Sequence, residues 1–370
     1  MIFVDFNNVC TMRYALAQKE VFKESIILYK KTKSIDIVEK NYKDLRKGFF
    51  NLIIKELAQY QKQHTRNYGE IIIASDYKKS NYWRKTIHPR YKESRDKAKS
   101  NSFEDAIWKN FNKDKNDLVE IIKLLGFVVL DKVQHTETKE SVEADDIIGV
   151  LVRTPGKHLI ISSDGDFDQL TINPNIRRYN LLEAKMVKKS IKDIHAKNLE
   201  SLVLGQAKDD IPNIKFESEL SDDFIEWMDK KYNIQITPKM IYTIKEKYQN
   251  YMKEYKDDKF KEDTQLIASG KRKQRRNLSA FKKPNFGKFG FADMLQNQGI
   301  EKLLLENPIY AENYELNKKL YLLENIPQRI IELIGKSFLS EKRNVSSNKY
   351  EAEKMFYENS IDILLLSEFF

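Results

Sequence analysis

The sequence has little cysteine and no long apolar run, and these absences exclude several classes of protein. Cys10 is the only cysteine in 370 residues, so a disulfide framework is impossible and a reducing compartment is expected. No apolar run reaches the roughly 18 residues that cross a bilayer, and the chain opens as a strand rather than a signal peptide. The five histidines show no paired zinc-ligand spacing. We therefore expect a soluble cytoplasmic protein with no membrane contact.

Basic residues outnumber acidic residues in a chain that is otherwise typical of a globular protein. There are 65 Lys and Arg against 55 Asp and Glu, a formal net charge of +10, and 41% of the residues are hydrophobic. A chain of this length can bury a sizeable core, and we expect one large domain plus a second unit. The basic excess favours a polyanionic partner, although net charge alone is equally consistent with a merely basic soluble protein.

Four short apolar runs each finish on an acidic residue. Runs of this length, with helical patterns between them, are typical of buried parallel strands. The fold class predicted is therefore α/β, with a mostly parallel central sheet flanked by helices. The carboxyl ends of such strands share one edge of the sheet, so their carboxylates should converge there and require a divalent cation of the magnesium type. The acids that end the four runs are Asp5, Asp76, Asp131 and Asp164.

The spacing of apolar residues and turn residues predicts the main elements. The sheet ends near residue 200, and the rest of the chain reads as helical, with an apolar C-terminus. The predicted elements are a first strand at 1–9, a helix at 35–63, a helix from Ser102 to Leu125 closed by Gly126, a strand at 127–131, a helix opening near Val142 and a hairpin at Arg177–Val187.

Two acidic motifs lie beside the predicted strand ends. Asp164 and Asp166 flank Gly165, which allows a sharp turn with both carboxylates at the sheet edge. Glu143-Ala144-Asp145-Asp146 opens a helix. The second motif has a structural alternative, because acids in a first turn stabilise the helix dipole. Together with the strand ends, the two motifs predict a two-metal site for phosphodiester hydrolysis.

These motifs resemble those of the flap endonuclease family of 5′ nucleases, and most closely those of phage-type ribonuclease H. The resemblance is specific over about residues 1–215 and loose afterwards. It implies a PIN-like 5′-nuclease fold, a basic arch at about 77–101 and a helical C-terminal region. The segments that carry it are Val142–Gly149, Ile161–Leu170, Asp76 with Tyr82–Lys85 and Tyr91–Arg95, and Gly205–Pro212.

The resemblance also implies a role for individual residues. Arg84 and Lys85 would lie nearest the scissile phosphate and act with Asp164 and Asp166 as catalytic groups. The implied metal groups are Asp5, Asp76, Glu143, Asp145, Asp146, Asp164, Asp166 and Asp209. The implied nucleic-acid contacts are Tyr82, Trp83, Arg84, Lys85, Arg90, Tyr91, Lys92 and Arg95, with the aromatic rings stacking on bases.

One departure from the family pattern concerns the second metal ion. Two Mg²⁺ (or Mn²⁺) ions are implied, but Gln206 stands where the family has an aspartate, so we expect the second ion to bind weakly. An alternative is therefore a nucleic-acid-binding protein whose catalysis has lapsed. A compact toxin-type ribonuclease, the third interpretation, lacks the basic arch and the long C-terminal region.

The resemblance divides the chain into three parts and suggests partners. Residues 1–200 would be the catalytic domain, and 201–340 a duplex-binding region with a charged insertion at 216–283. Residues 341–370 would form a tail. Either residues 361–370 dock on a replication sliding clamp, or they fold back on their own domain. The implied substrates are DNA and RNA–DNA hybrid with 5′ ends or flaps. A single-strand-binding protein is a further implied partner. We expect a monomer, in the host bacterial cytoplasm if phage-encoded.

Overall fold

A six-stranded sheet forms the centre of the computed structural model, which describes residues 1–23, 36–93, 106, 108–214 and 299–370. The strands are β1 (Ile2–Asp5), β2 (Ile71–Ala74), β3 (Val128–Leu130), β4 (His158–Ile161), β5 (Ile176–Asn180) and β6 (Lys185–Met186). Their order is β3-β2-β1-β4-β5-β6. Only the β5–β6 pair is antiparallel. The sheet confirms the predicted α/β class.

The central strands are mostly apolar and buried, as expected where helices cover both faces of a sheet. Every residue of β1, β2 and β4 is buried, as expected for a covered parallel sheet. Alternate residues serve opposite faces: Ile2 and Val4 join one hydrophobic cluster, whereas Phe3 joins the other. Ile2 lies opposite both Ile71 and Leu159. The carboxyl ends of these three strands are therefore level with one another.

Helices follow the strands at boundaries that refine the predicted ones. The predicted first strand is too long: it ends at Asp5, whose carboxylate accepts the Asn8 N–H and starts the next helix. The predicted helix at 35–63 is confirmed and continues to Tyr68, whereas Ser102 lies outside the described residues. The helices of this part of the chain are α1 (Phe6–Val21), α2 (Asp36–Tyr68), α3 (Trp83–Ile87), α4 (Phe111–Leu124), α5 (Ala144–Leu151) and α6 (Ile191–Leu204).

The chain forms two compact units, and the division does not follow the chain in order. The first unit contains Met1–Ile87, Lys99–His195 and Leu323–Phe370, and the second contains His88–Ala98 and Ala196–Leu322. The prediction divided the chain into three consecutive parts, with boundaries near residues 200 and 340. In the structure, Leu323–Phe370 belong to the first unit together with the N-terminal residues. The functions assigned to these parts stay predictions.

The described part of the second unit is helical around a small core. Val203, Ile214 and Leu303 form its hydrophobic cluster. The buried Asn317 side chain donates to the Leu202 carbonyl at 2.8 Å. Besides the end of α6, its helices are α7 (Ile300–Glu306) and α8 (Pro308–Tyr321). The predicted charged insertion at 216–283 lies outside the described residues.

The C-terminal residues pack on the first unit. After α9 (Gln328–Asn344) and α10 (Lys349–Glu358), the side chains of Ile361 and Leu366 are buried in its core. The Phe369 ring packs edge-on against Phe127 at 5.7 Å between centroids. Of the two alternatives for residues 361–370, the structure therefore supports the one in which they fold back.

No helix in the described ranges combines the length and the apolarity that crossing a membrane requires.

Candidate active site

Three neighbouring strands bring three aspartates to one edge of the sheet. Asp5 ends β1, which pairs with β2 on one side and β4 on the other. Asp76 and Asp164 follow β2 and β4. Burial raises the pKa of Asp5 to about 7, the Ser162 hydroxyl opposes the rise, and the charges of Asp76 and Asp164 add to it. The three carboxylates therefore lie at the same edge of the sheet, as the strand ends predict.

A buried serine connects two of these aspartates. The Ser162 hydroxyl donates to Asp5 Oδ2 at 2.7 Å. The Ser162 hydroxyl oxygen also accepts a hydrogen bond from the backbone N–H of Asp164 at 3.0 Å. The Asn8 N–H donates to the other oxygen of Asp5 at 3.2 Å. Ser162 therefore fixes the positions of both acids relative to each other.

The loop after β4 turns as Gly165 predicts. Asp164 Oδ1 accepts the Asp166 N–H at 2.9 Å and starts a 3₁₀ helix from Gly165 to Ile172. Both carboxylates are partly exposed at the sheet edge. The turn therefore holds Asp164 and Asp166 where a cation and solvent can reach them.

A buried ion-pair network, which the sequence did not predict, stabilises the loop after β4. Arg178 on β5 pairs with the buried Asp168 at 2.7 Å, and Lys189 pairs with the same carboxylate at 2.7 Å. Arg178 also donates to the carbonyl of Ser162 at 3.0 Å. Asp168 lies in the same acidic motif as Asp164, but nothing in the spacing identifies its cationic partners.

The acids that open α5 have two different environments. Asp76 Oδ1 accepts the N–H of Ala144 at 2.8 Å, which ties the β2 end to the start of α5. Glu143 is the N-cap, and the Asp146 carboxylate accepts its N–H at 3.0 Å. Asp145 is partly exposed. The helix-stabilising alternative therefore accounts for part of this motif, as a capping box.

Arg84 neutralises the buried end of that motif. Its guanidinium lies 2.9 Å from Glu143 and 2.7 Å from Asp146. It also stacks on Trp83, whose indole N–H donates to Asp146 at 2.9 Å. Burial raises the pKa of Asp146, while the charge of Arg84 lowers it. Since the indole, the Glu143 N–H and Arg84 all contact its carboxylate, the protein itself supplies partners for Asp146. We therefore expect a structural role for Asp146, and the metal role implied by the resemblance stays a prediction.

The placement of several predicted nucleic-acid contacts also differs from expectation. The side chains of Tyr82, Trp83 and Tyr91 are buried, so their faces are not open for stacking on bases. Arg84 is 2% exposed and pairs with the carboxylates of Glu143 and Asp146. Its predicted phosphate contact stays a prediction. A basic, aromatic stretch looks like a solvated surface in sequence, but tertiary packing buries it here. Lys85 is partly exposed.

The remaining predicted groups lie in the second unit or outside the described residues. Arg90 and Lys92 belong to the second unit, and Arg95 is not described. Asp209 is buried in a turn where the N–H of Ile211 donates to the Gln206 carbonyl at 3.0 Å. The metal role of Asp209 and the effect of Gln206 stay predictions.

Gly205 explains why this turn needs a glycine. Its φ is +72°, and an added Cβ would lie 2.3 Å from the Ile211 carbonyl oxygen. Any side chain would meet backbone at that distance, and the left-handed conformation also disfavours one. The glycine of the family pattern therefore has a local structural reason in this chain.

The chemistry of the donor set fits magnesium. Asp5, Asp76, Asp145, Asp164 and Asp166 offer only oxygen ligands, and magnesium prefers these while keeping several waters. Within the described ranges, no three acidic, histidine or cysteine side chains are close enough to hold an ion among them. The buried Asp5 carboxyl, with a raised pKa and acidic neighbours, is the observation that favours a cation here.

Comparison with known proteins agrees with the motifs. Residues 29–201 match the family model described as the 5′-3′ exonuclease N-terminal resolvase-like domain. Ribonuclease H of Enterobacteria phage T4 is 31% identical over 164 residues, which are 43% of this chain and 51% of that protein. The chain thus spans about half the length of this curated relative.

Solved structures from phage T5 are also similar, at low identity. A zinc-bound T5 5′-exonuclease is 17% identical with a TM-score of 0.46, covering 92% of this chain and 99% of that one. A T5 flap endonuclease complex with DNA and metal ions is 14% identical with a TM-score of 0.44, covering 92% and 98%. TM-scores below 0.5 are too low to establish a common fold.

The parallel sheet with its acidic edge defines an α/β domain. Together with the motifs around Asp145 and Asp164, the family match assigns residues 29–201 to the 5′-3′ exonuclease family, as its resolvase-like N-terminal domain.

Proposed function

We propose that this chain is a metal-dependent nuclease that hydrolyses phosphodiester bonds in the 5′ to 3′ direction. The observation that carries the proposal is the acidic edge of the sheet, where Asp76 and Asp164 act on the buried Asp5. Such a cluster is stable when a divalent cation lies among the carboxylates. The family of residues 29–201 supports the same activity.

Two Mg²⁺ or Mn²⁺ ions are the proposed cofactors, the second bound weakly because of Gln206. When bound, such ions activate a water and stabilise the leaving oxygen of the phosphodiester. The groups proposed to hold them, directly or through water, are Asp5, Asp76, Asp145, Asp164 and Asp166. The metal roles of Glu143, Asp146 and Asp209 stay predictions from the resemblance.

Residues of the chain itself position these groups and the substrate. Ser162 orients Asp5 and Asp164, and Arg178 holds Ser162 through its carbonyl. Lys85 is an arch residue of the first unit with a partly exposed side chain, and it would contact a phosphate next to the scissile bond. The products would carry 5′-phosphate and 3′-hydroxyl ends.

The proposed substrates are DNA and RNA–DNA hybrid with 5′ ends or flaps, cut during removal of RNA primers in DNA replication. The relative named ribonuclease H supports this choice. A single-strand-binding protein and a sliding clamp stay proposed partners. For a clamp, the exposed side chains of the tail are Ile363, Leu364 and Phe370.

Cleavage of 5′-labelled RNA–DNA hybrid and of flap DNA tests the proposal. Wild type should cut both with magnesium and neither with a chelator, and Asp164→Ala should abolish cutting. Asp131→Ala is the matched control, since Asp131 also follows a strand but is ion-paired with Lys123 at 3.2 Å. The product lengths distinguish exonuclease action from flap cutting.

Two outcomes would contradict the proposal. Cutting that survives in Asp164→Ala would mean that the acidic edge is not the active site. Tight DNA binding without cutting, with activity restored by Gln206→Asp, would identify a lapsed enzyme that serves as a binding protein.

A further inference from the structure

Lys115 on α4 extends its side chain to the acidic edge of the sheet. Its Nζ donates to Asn7 Oδ1 at 2.7 Å and contacts the Ser75 hydroxyl oxygen at 3.5 Å. The Ser75 hydroxyl in turn donates to Asn7 at 3.2 Å. Asn7 is two residues after Asp5, and Ser75 immediately precedes Asp76. The ammonium group is therefore fixed beside the ends of β1 and β2.

The partners of this ammonium are neutral, which is unusual for a charge in this position. Among the described residues, no carboxylate lies within ion-pair distance of Lys115. Lys123 on the same helix differs, since it pairs with Asp131 at 3.2 Å and Glu120 at 3.3 Å. Buried charges are normally paired, because desolvation destabilises an unpaired one. In the described part of the chain, this half-buried lysine is therefore held only by an amide and a hydroxyl.

Burial and the neighbouring charges act in opposite directions on the pKa of Lys115. Burial lowers the pKa of Lys115, and the charge of Asp76 raises it. The other titratable groups facing it are Cys10, Lys79 and Asp131. An ammonium donates three hydrogen bonds, and two of these directions point to Asn7 and Ser75. Since the described residues supply two hydrogen-bond partners, one donor remains for an oxygen anion that approaches the sheet edge.

We propose that Lys115 binds a phosphate oxygen of the nucleic-acid strand and holds it at the acidic edge. The inference rests on the proposed function, which supplies the polyanion. Carboxylates at this edge repel phosphate, so a fixed cation among them offsets the repulsion and selects one position of the strand. Lys115 would thus be a substrate-binding residue that the arch pattern does not contain.

The test measures binding of a fluorescently labelled 5′-flap DNA by anisotropy, with a chelator present so that no cutting occurs. Lys115→Met should weaken binding about tenfold or more, the value of a hydrogen bond between charged groups. The slope of log affinity against log salt should fall by about 1. Lys113→Met is the matched control, because Lys113 is an exposed lysine of the same helix. Lys115→Arg should retain most of the affinity.

Thermal melting separates this role from a structural one. If Lys115 serves a ligand, Lys115→Met removes a poorly paired charge, and the melting temperature should stay equal or rise. A large fall in melting temperature together with the binding loss would overturn the proposal. Equal losses in Lys113→Met and Lys115→Met would also overturn it. If wild type binds the DNA but does not cleave it with magnesium, the proposed nuclease activity is refuted. The comparison of Lys115→Met with Lys113→Met would still test the proposed phosphate contact. Absence of any DNA binding by wild type would refute both.

Discussion

Two carboxylate groups in the first unit differ in what compensates their charge. At the sheet edge, Asp5 accepts hydrogen bonds from neutral donors, the Ser162 hydroxyl and the Asn8 N–H. At the start of α5, Asp146 has the Arg84 guanidinium at 2.7 Å. Both carboxylates are buried, and burial raises the pKa of each. Of the two carboxylates, only Asp146 has a cationic partner among the described residues, namely Arg84.

The difference teaches how to distinguish a structural acid from a functional one. A buried acid with an arginine partner is complete, and removing that partner destabilises the fold. A buried acid among other acids is incomplete, and it favours a proton or an external cation. The resemblance to the 5′-nuclease family implied a metal role for both groups.

The largest effect on stability is expected from removing Arg84, the cation that pairs with Glu143 and Asp146. Arg84→Ala leaves Glu143 and Asp146 buried without their cation and should reduce the free energy of unfolding by about 3–5 kcal/mol. Urea unfolding measures it. Lys85→Ala, at the next residue, should change stability by less than about 1 kcal/mol. Equal stability of wild type and Arg84→Ala would contradict the structural role.

Mutation of Asp5 at the sheet edge should change the activity of the protein rather than its stability. Asp5→Asn removes a ligand charge and should lower kcat with magnesium about a hundredfold or more, because metal stabilisation of the transition state amounts to several kcal/mol. The folded protein should be no less stable near neutral pH without metal. Steady-state cleavage and thermal melting check the two parts. Wild-type activity in Asp5→Asn would refute the assignment.

The pKa of Asp5 also predicts a pH dependence of stability. It rises from 3.8 to about 7 on folding. Between these values the folded state keeps a proton that the unfolded state has released, so stability decreases as pH rises from about 4 to about 7. The slope from this group is at most about 1.4 kcal/mol per pH unit.

Urea unfolding with a chelator, at several pH values in this window, measures the difference between wild type and Asp5→Asn. Wild type should lose more stability with rising pH, and magnesium should reduce the difference. Identical pH profiles for the two proteins would show that Asp5 is not perturbed.

A smaller effect is expected from the serine that connects the acids. Ser162→Ala removes the donor to Asp5 and should weaken metal affinity about tenfold, as for other groups that orient ligands. Ser163→Ala is the neighbouring control, because its hydroxyl donates to Asn8 rather than to a carboxylate. Calorimetric titration with Mn²⁺ compares them. Equal affinities would exclude a positioning role for Ser162.

The sheet and its acidic edge could be predicted from sequence because the signal is local. Continuous apolar runs indicate strands covered on both faces, and the acid at the end of each run follows directly. Asp5, Asp76 and Asp164 therefore meet as expected. The glycine between Asp164 and Asp166 likewise marks a turn that the structure contains.

The partners of the acids could not be predicted because they come from distant parts of the chain. Arg84 reaches Glu143 and Asp146 only after α3 packs against the start of α5, and this packing also buries Trp83. Lys115 belongs to no sequence motif. A lysine on a helix is usually solvated, so its position at the sheet edge could not be predicted. Pairing of this kind depends on tertiary structure rather than spacing.

The most direct test of the account is Mn²⁺ titration of wild type, Asp5→Asn and Asp146→Asn by calorimetry. The account predicts that Asp5→Asn loses metal binding, whereas Asp146→Asn retains binding but melts at a different temperature because the pairing with Arg84 has changed. Loss of metal binding in Asp146→Asn with wild-type affinity in Asp5→Asn would contradict it.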